Sequence, residues 1–120
     1  MKKKSSTDSN TEIPKKPREF VFLGSTQKDL AALPEHIRDP FAVALVAVQH
    51  HQVPSMKLKH LHVSKDNVAI ELIINGRPAY RLVYTTKKPG KVIVLFAGKK
   101  TAQGVDKTLM NTVEARLKEI

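Results

Sequence analysis

The chain has no cysteine and no tryptophan, and only two of its 120 residues are tyrosine. Without cysteine there is no disulfide framework, no thiolate metal site and no sulfur nucleophile, a composition that suits a reducing cytoplasm. So few large aromatics leave little for an extended base-stacking platform of the single-strand-binding kind. The longest apolar run, residues 41–48, falls far short of the ~20 residues that cross a bilayer. Behind Lys2-Lys3-Lys4 stands no apolar segment, so a signal peptide is not expected. Carboxylates are scarce as well, with 11 Asp and Glu against 21 Lys and Arg. There is no phosphate-binding glycine loop and no Gly-x-Ser-x-Gly.

What the chain does have is positive charge, net +10, unevenly placed. Residues 1–18 carry six Lys and Arg against Asp8 and Glu12, while residues 19–52 are net negative. Residues 53–100 hold ten Lys and Arg against Asp66 and Glu71, and residues 101–120 balance. Solubility alone does not require such segregation, and a basic surface gathered on one part of a small domain points to a polyanion, most often nucleic acid.

Residues 69–100 organise the rest. Residues 68–74 and 79–84 are β-branched and aromatic runs separated by Asn75-Gly76, a dipeptide suited to a tight hairpin. A third run, residues 92–97, follows a turn at Pro89-Gly90. The expected product is a three-stranded antiparallel meander, which needs one face covered. Residues 1–18, polar and with little to bury, are expected to form a disordered basic arm ahead of a domain spanning 19–120. Residues 19–23 should make a strand, and Ser25 or Thr26 should cap a helix, with Thr26-x-x-Asp29 in capping-box spacing. Asp39 before Pro40 is the expected cap of a second helix, whose Ile37, Phe41, Ala44, Leu45 and Val48 recur at helical spacing. Residues 56–64 alternate basic and apolar residues and should lead into the sheet as an irregular edge. Val105, Leu109, Val113, Leu117 and Ile120 mark a C-terminal amphipathic helix. The order is N-terminal strand, two-helix hairpin, three-stranded meander, helix: an α+β domain.

The basic region offers only Asp66 and Glu71 as carboxylates, so two-metal chemistry is not expected. His50, His51, His60 and His62 favour solvated positions over a metal site. Cleavage of RNA without a metal remains open, since attack by a 2′-hydroxyl needs a base, a proton donor and positive charge for the phosphorane. Regular alternation sends Arg81 and Tyr84 to opposite faces of their strand, so a bulge near Tyr84 is needed to bring both into one groove.

An ordered set of segments carries a resemblance: Leu30-x-x-Leu33-Pro34, Val48-Gln49, Pro54 with the following Lys59-His60-Leu61, Glu71, Ala79-Tyr80-Arg81-Leu82-Val83-Tyr84, and Val94-Leu95-Phe96 through Lys99-Lys100-Thr101. Over residues 20–118 this resembles the RelE/HigB superfamily of type II toxins, in its phage-derived HigB-like branch. The resemblance implies a RelE-like fold and a ribosome-dependent endoribonuclease that cuts mRNA without a cofactor. It also implies a cognate antitoxin, usually of helix-turn-helix type. On that basis Lys57 and Lys59 would contact phosphate, one of them serving as base. Arg81 would stabilise the transition-state charge, and Tyr84 would be a candidate for proton transfer. Lys99 and Lys100, with Arg77, His60 and His62, would grip RNA. The sequence departs from the family pattern where Glu-x-Arg reads Glu71-Leu72-Ile73 and where Leu-His-x-Phe reads Leu95-Phe96-Ala97-Gly98. Those losses keep two alternatives in view: a noncatalytic RNA- or ribosome-binding protein, and a protein that binds an acidic partner through its sheet edge.

Overall fold

Five strands and three helices follow one another through residues 15–65, 67–100 and 106–120, the parts described in this computed structural model. They are β1 (Glu19–Phe22), α1 (Thr26–Ala31), α2 (Glu35–Gln49), β2 (Leu58–Ser64), β3 (Asn67–Ile74), β4 (Tyr80–Thr85), β5 (Lys91–Lys99) and α3 (Lys107–Leu117). The strands form one sheet in the order β1-β5-β4-β3-β2. β2 to β5 make an antiparallel meander, and β1 adds to β5 in parallel. The expected segments at residues 1–14, together with Asp66, Thr101 and Val105, lie outside the described residues.

The meander therefore has four strands where three were expected. Residues 58–64 form the added strand at the sheet's edge, with its register to β3 shifting between His62 and Ser64 as an irregular edge would, because Leu58, Leu61 and Val63 each have an apolar cluster to pack against. The β3–β4 connection also differs from a two-residue turn at Asn75-Gly76. It runs through residues 75–79 with a cis Arg77–Pro78 bond, since Pro78 has no N–H to give the ladder and pairing resumes only at Tyr80.

Helix α2 starts at Glu35, four residues before the expected cap at Asp39. Pro34 is extended at φ −54°, ψ 145°, and its carbonyl accepts from the N–H groups of Ile37 and Arg38. Starting there brings buried Ile37 into one stripe with Phe41, Ala44, Leu45 and Val48, and leaves Pro40 inside the helix. In α1 the cap is Ser25, and its hydroxyl donates to Asp29 Oδ2 at 2.7 Å rather than accepting from a backbone N–H.

The sheet has a helical layer on each side. The α2 stripe packs on Leu72, Leu82, Tyr84, Val92 and Val94, and Leu30 and Leu33 of the α1 region join it. On the opposite face Leu109, Val113 and Leu117 of α3 cover Leu61, Ala69, Val83, Ile93 and Leu95. With both faces of its central strands covered, β4 is buried along its whole length. No described helix is long and apolar enough to cross a membrane.

Candidate functional site

A buried strand that carries an arginine must find it a partner, and in β4 that residue is Arg81. Leu82 and Tyr84 turn toward α2, so alternation sends Arg81 and Val83 toward α3. Val83 is sealed beneath the helix. Arg81, nearer the strand's beginning, faces Gly98 across β5, a residue that sets no side chain beside the guanidinium. On its other side β3 supplies Glu71, buried like Arg81 itself. Arg81 Nε lies 3.3 Å from Glu71 Oε2, and Arg81 Nη1 donates to the Tyr80 carbonyl at 2.9 Å. Nη2 has no acceptor among the described residues. Two opposite charges buried together are tolerated because each satisfies the other; removing either leaves an uncompensated buried ion.

This pair forms the floor of a cleft of about 600 Å³. Lys59 of β2, cross-strand from Glu71, brings its Nζ to 4.0 Å from Glu71 Oε1 and remains largely exposed. Lys100, just beyond β5, lines the same cleft, anchored by its N–H on the Ala79 carbonyl at 2.9 Å. Apolar residues complete the lining, with Leu61 and Ile73 beside the pair on the sheet and Leu109 and Met110 from α3. Asp106 closes one end and caps α3, accepting from the Leu109 N–H at 3.1 Å. Charged groups and apolar side chains thus share one cleft, an arrangement that suits a ligand with both a phosphate and an apolar face.

The structure brings Arg81, Lys59 and Lys100 together, with His60 and His62 bordering the cleft from the edge strand. Along β2 the alternation is set by Leu61, which packs under α3, so the two imidazoles lie on the α2 side of the sheet. Lys57, Lys99 and Arg77 are exposed and do not line the cleft. The Lys57 carbonyl accepts from Ile73, Lys99 pairs with Tyr80, and Arg77 sits in the β3–β4 connection.

Tyr84 lies on the opposite face from Arg81. A bulge does occur at Val83/Tyr84, but its extra residue is Leu95 of β5, so β4 keeps strict alternation. Tyr84 packs in the α2-side core, where burial raises its phenol above the ordinary value despite the nearby Arg18 guanidinium. The residue that sequence reasoning did not place in the site is Glu71. Its signal was present as a carboxylate inside an otherwise apolar run, which only a buried cation on a neighbouring strand accommodates.

A basic α+β domain with an ion-paired arginine at the floor of an edge cleft is the class that this fold and site define. The sequence profile of the phage-derived Gp49-like proteins matches residues 28–118, and the chain belongs to that family. The family is one associated with RelE-like toxins of toxin–antitoxin systems. No curated protein and no solved structure matches the chain.

Proposed function

We propose that this protein is the toxin of a type II toxin–antitoxin pair and a ribosome-dependent endoribonuclease, acting in the cytoplasm on translated mRNA. The observation that carries this reading is Arg81, held by Glu71 on the floor of a cleft rimmed by Lys59 and Lys100. In the proposed reaction the 2′-hydroxyl attacks the adjacent phosphate and the 5′-oxygen leaves, with no metal required. Arg81 Nη2 meets the equatorial charge of the phosphorane, and a preorganised donor of this kind is worth about 10²–10³ in rate. Lys59 and Lys100 hold the flanking phosphates. Lys59 and Glu71 stand where a base must receive the 2′-proton. His60 and His62, which border the cleft from the edge strand, are the candidates for protonating the leaving oxygen. The family implies an antitoxin partner, and we assign it to the helix-turn-helix type.

A second reading, a noncatalytic RNA- or ribosome-binding protein, draws on the separation of Tyr84, His60 and His62 from the Arg81 face. Induced expression in a bacterial host with mapping of new mRNA 5′ ends separates the two. Growth arrest with cuts confined to translated frames, relieved by Arg81→Ala, supports the nuclease. Arrest with intact mRNA supports the binding protein.

A further inference from the structure

On the α2 side of the sheet lies a second cleft, of about 390 Å³, that the proposed reaction does not use. Lys15, Arg18, His51 and His60 line it together with the Tyr84 ring, and no carboxylate does. The Arg81 cleft, by contrast, contains both Glu71 and Asp106. In the second cleft Arg18 and His51 are held in place. Arg18 Nη1 donates to the Val48 carbonyl at 2.6 Å, and the Arg18 N–H donates to the Gln49 carbonyl at 2.9 Å, so the guanidinium is pinned at the C-terminal end of α2. His51, at φ 62°, shares a 2.8 Å hydrogen bond with the Lys16 carbonyl, which ties the segment before β1 to the same helix end. Leu58, Ile70 and Val48 supply an apolar floor. His60 borders this cleft and the Arg81 cleft alike, since β2 is the sheet's edge and only its width separates them.

We propose that the second cleft binds a flanking nucleotide of the same single-stranded RNA, so that the strand crosses the β2 edge and occupies both clefts. Its phosphate sits on Arg18 and Lys15, and its base lies on the apolar floor beside Tyr84. An anion is required by four basic or imidazole side chains without a counter-carboxylate, and an apolar face by the floor. A nucleotide has both. This inference rests on the reading that the Arg81 cleft holds RNA.

The test is fluorescence anisotropy of the full chain with a labelled 2′-O-methyl RNA single strand, which binds without being cut, measured across a salt series. Each lost phosphate contact lowers the slope of log affinity against log salt by roughly 0.7 for a single strand. Lys15→Ala, whose side chain makes no bond among the described residues, should therefore lower the slope by about 0.7 and the Lys15→Ala/Arg18→Ala double variant by about 1.4. Tyr84→Phe keeps the ring in the core and should leave the slope unchanged. Thermal melting identifies any variant that loses its fold, and Lys15→Ala keeps the test open if the Arg18 variant does. Unchanged slopes in folded variants overturn the second cleft, as does intact RNA binding with weakened binding of an antitoxin, which would assign the cleft to an acidic protein. Slopes that respond to Lys59→Ala and Lys100→Ala but not to Lys15→Ala overturn this inference alone. A wild-type chain that binds no RNA overturns the underlying reading with it.

Discussion

Arg116 of α3 donates from Nη1 to the carbonyl of Leu95 at 2.8 Å, and Leu95 is the residue that the β5 bulge leaves without a partner in β4. Val83 pairs with Phe96 and Tyr84 with Val94, so the carbonyl between them has no ladder bond to make on that side. The helix that covers this face supplies the missing donor. The bulge in turn puts Leu95 and Phe96 both on the α3 side, widening the apolar seat under the helix. Arg116→Ala should destabilise the fold by about 1–3 kcal/mol, the cost of a buried acceptor left unpaired, read from urea unfolding.

Gly24 makes the same guanidinium testable from the other end. Its φ is +56°, and a Cβ there would come within 2.6 Å of Arg116 Nη2. Gly24→Ala should cost more than the ~1–2 kcal/mol of a left-handed alanine alone. Combined with Arg116→Ala, the excess should vanish and only the backbone cost remain. A double-mutant cycle measures that coupling, and strict additivity would refute the contact.

The Glu71–Arg81 pair separates stability from activity. Glu71→Gln leaves a buried guanidinium without its counter-ion and should cost about 3–5 kcal/mol, since the remaining charged neighbour, Lys59, is itself a cation. Glu71→Leu with Arg81→Met removes both charges, and should return the melting temperature to near that of the wild type. Yet this double variant should be non-toxic and should produce no mRNA cuts. A double variant that is stable and still cuts would remove Arg81 from the chemistry.

Much of this architecture was legible in residue spacing. The α2 stripe of Ile37, Phe41, Ala44, Leu45 and Val48 and the β4 and β5 runs needed only periodicity. β2 was harder, because Lys59, His60 and His62 dilute its apolar residues and an edge strand needs few of them. The start of α2 was masked by Pro40, which signals a first helical turn but lies inside the helix in this chain. The site was half legible. Which of two adjacent residues enters the cleft depends on the parity of each strand, and a bulge at Leu95 resets that parity along β5.

Tyr84 gives a pH prediction with a definite sign. Burial raises its phenol above the ordinary value, so the folded state keeps a proton that the unfolded state releases near pH ~10. Stability from this group is complete below that pH and declines as pH rises toward the folded-state value. Phenolate absorbance should show Tyr84 titrating late. Tyr84→Phe should remove that late step and flatten the alkaline loss of stability. An early titration of Tyr84, identified as the step that Tyr84→Phe removes, would contradict its packing in the α2-side core.

Lys99 and Lys100 are neighbours of the same chemistry with opposite placements, which makes them a sharp test of the cleft. Ala97 packs on the α2 side, so Lys99 points that way and out to solvent, while Lys100 lines the Arg81 cleft. A diffuse electrostatic attraction would weigh the two charges alike, because each alanine substitution removes one unit of the same field. A phosphate bound in the cleft would not. Lys100→Ala should reduce mRNA cutting at least about tenfold, in the range of a lost charged hydrogen bond, while Lys99→Ala should stay within about twofold of the wild type. Quantitative 5′-end mapping after induction, at matched protein levels, reads both. Equal losses would mean that charge alone draws the RNA and that the geometry built around Arg81 does not select it.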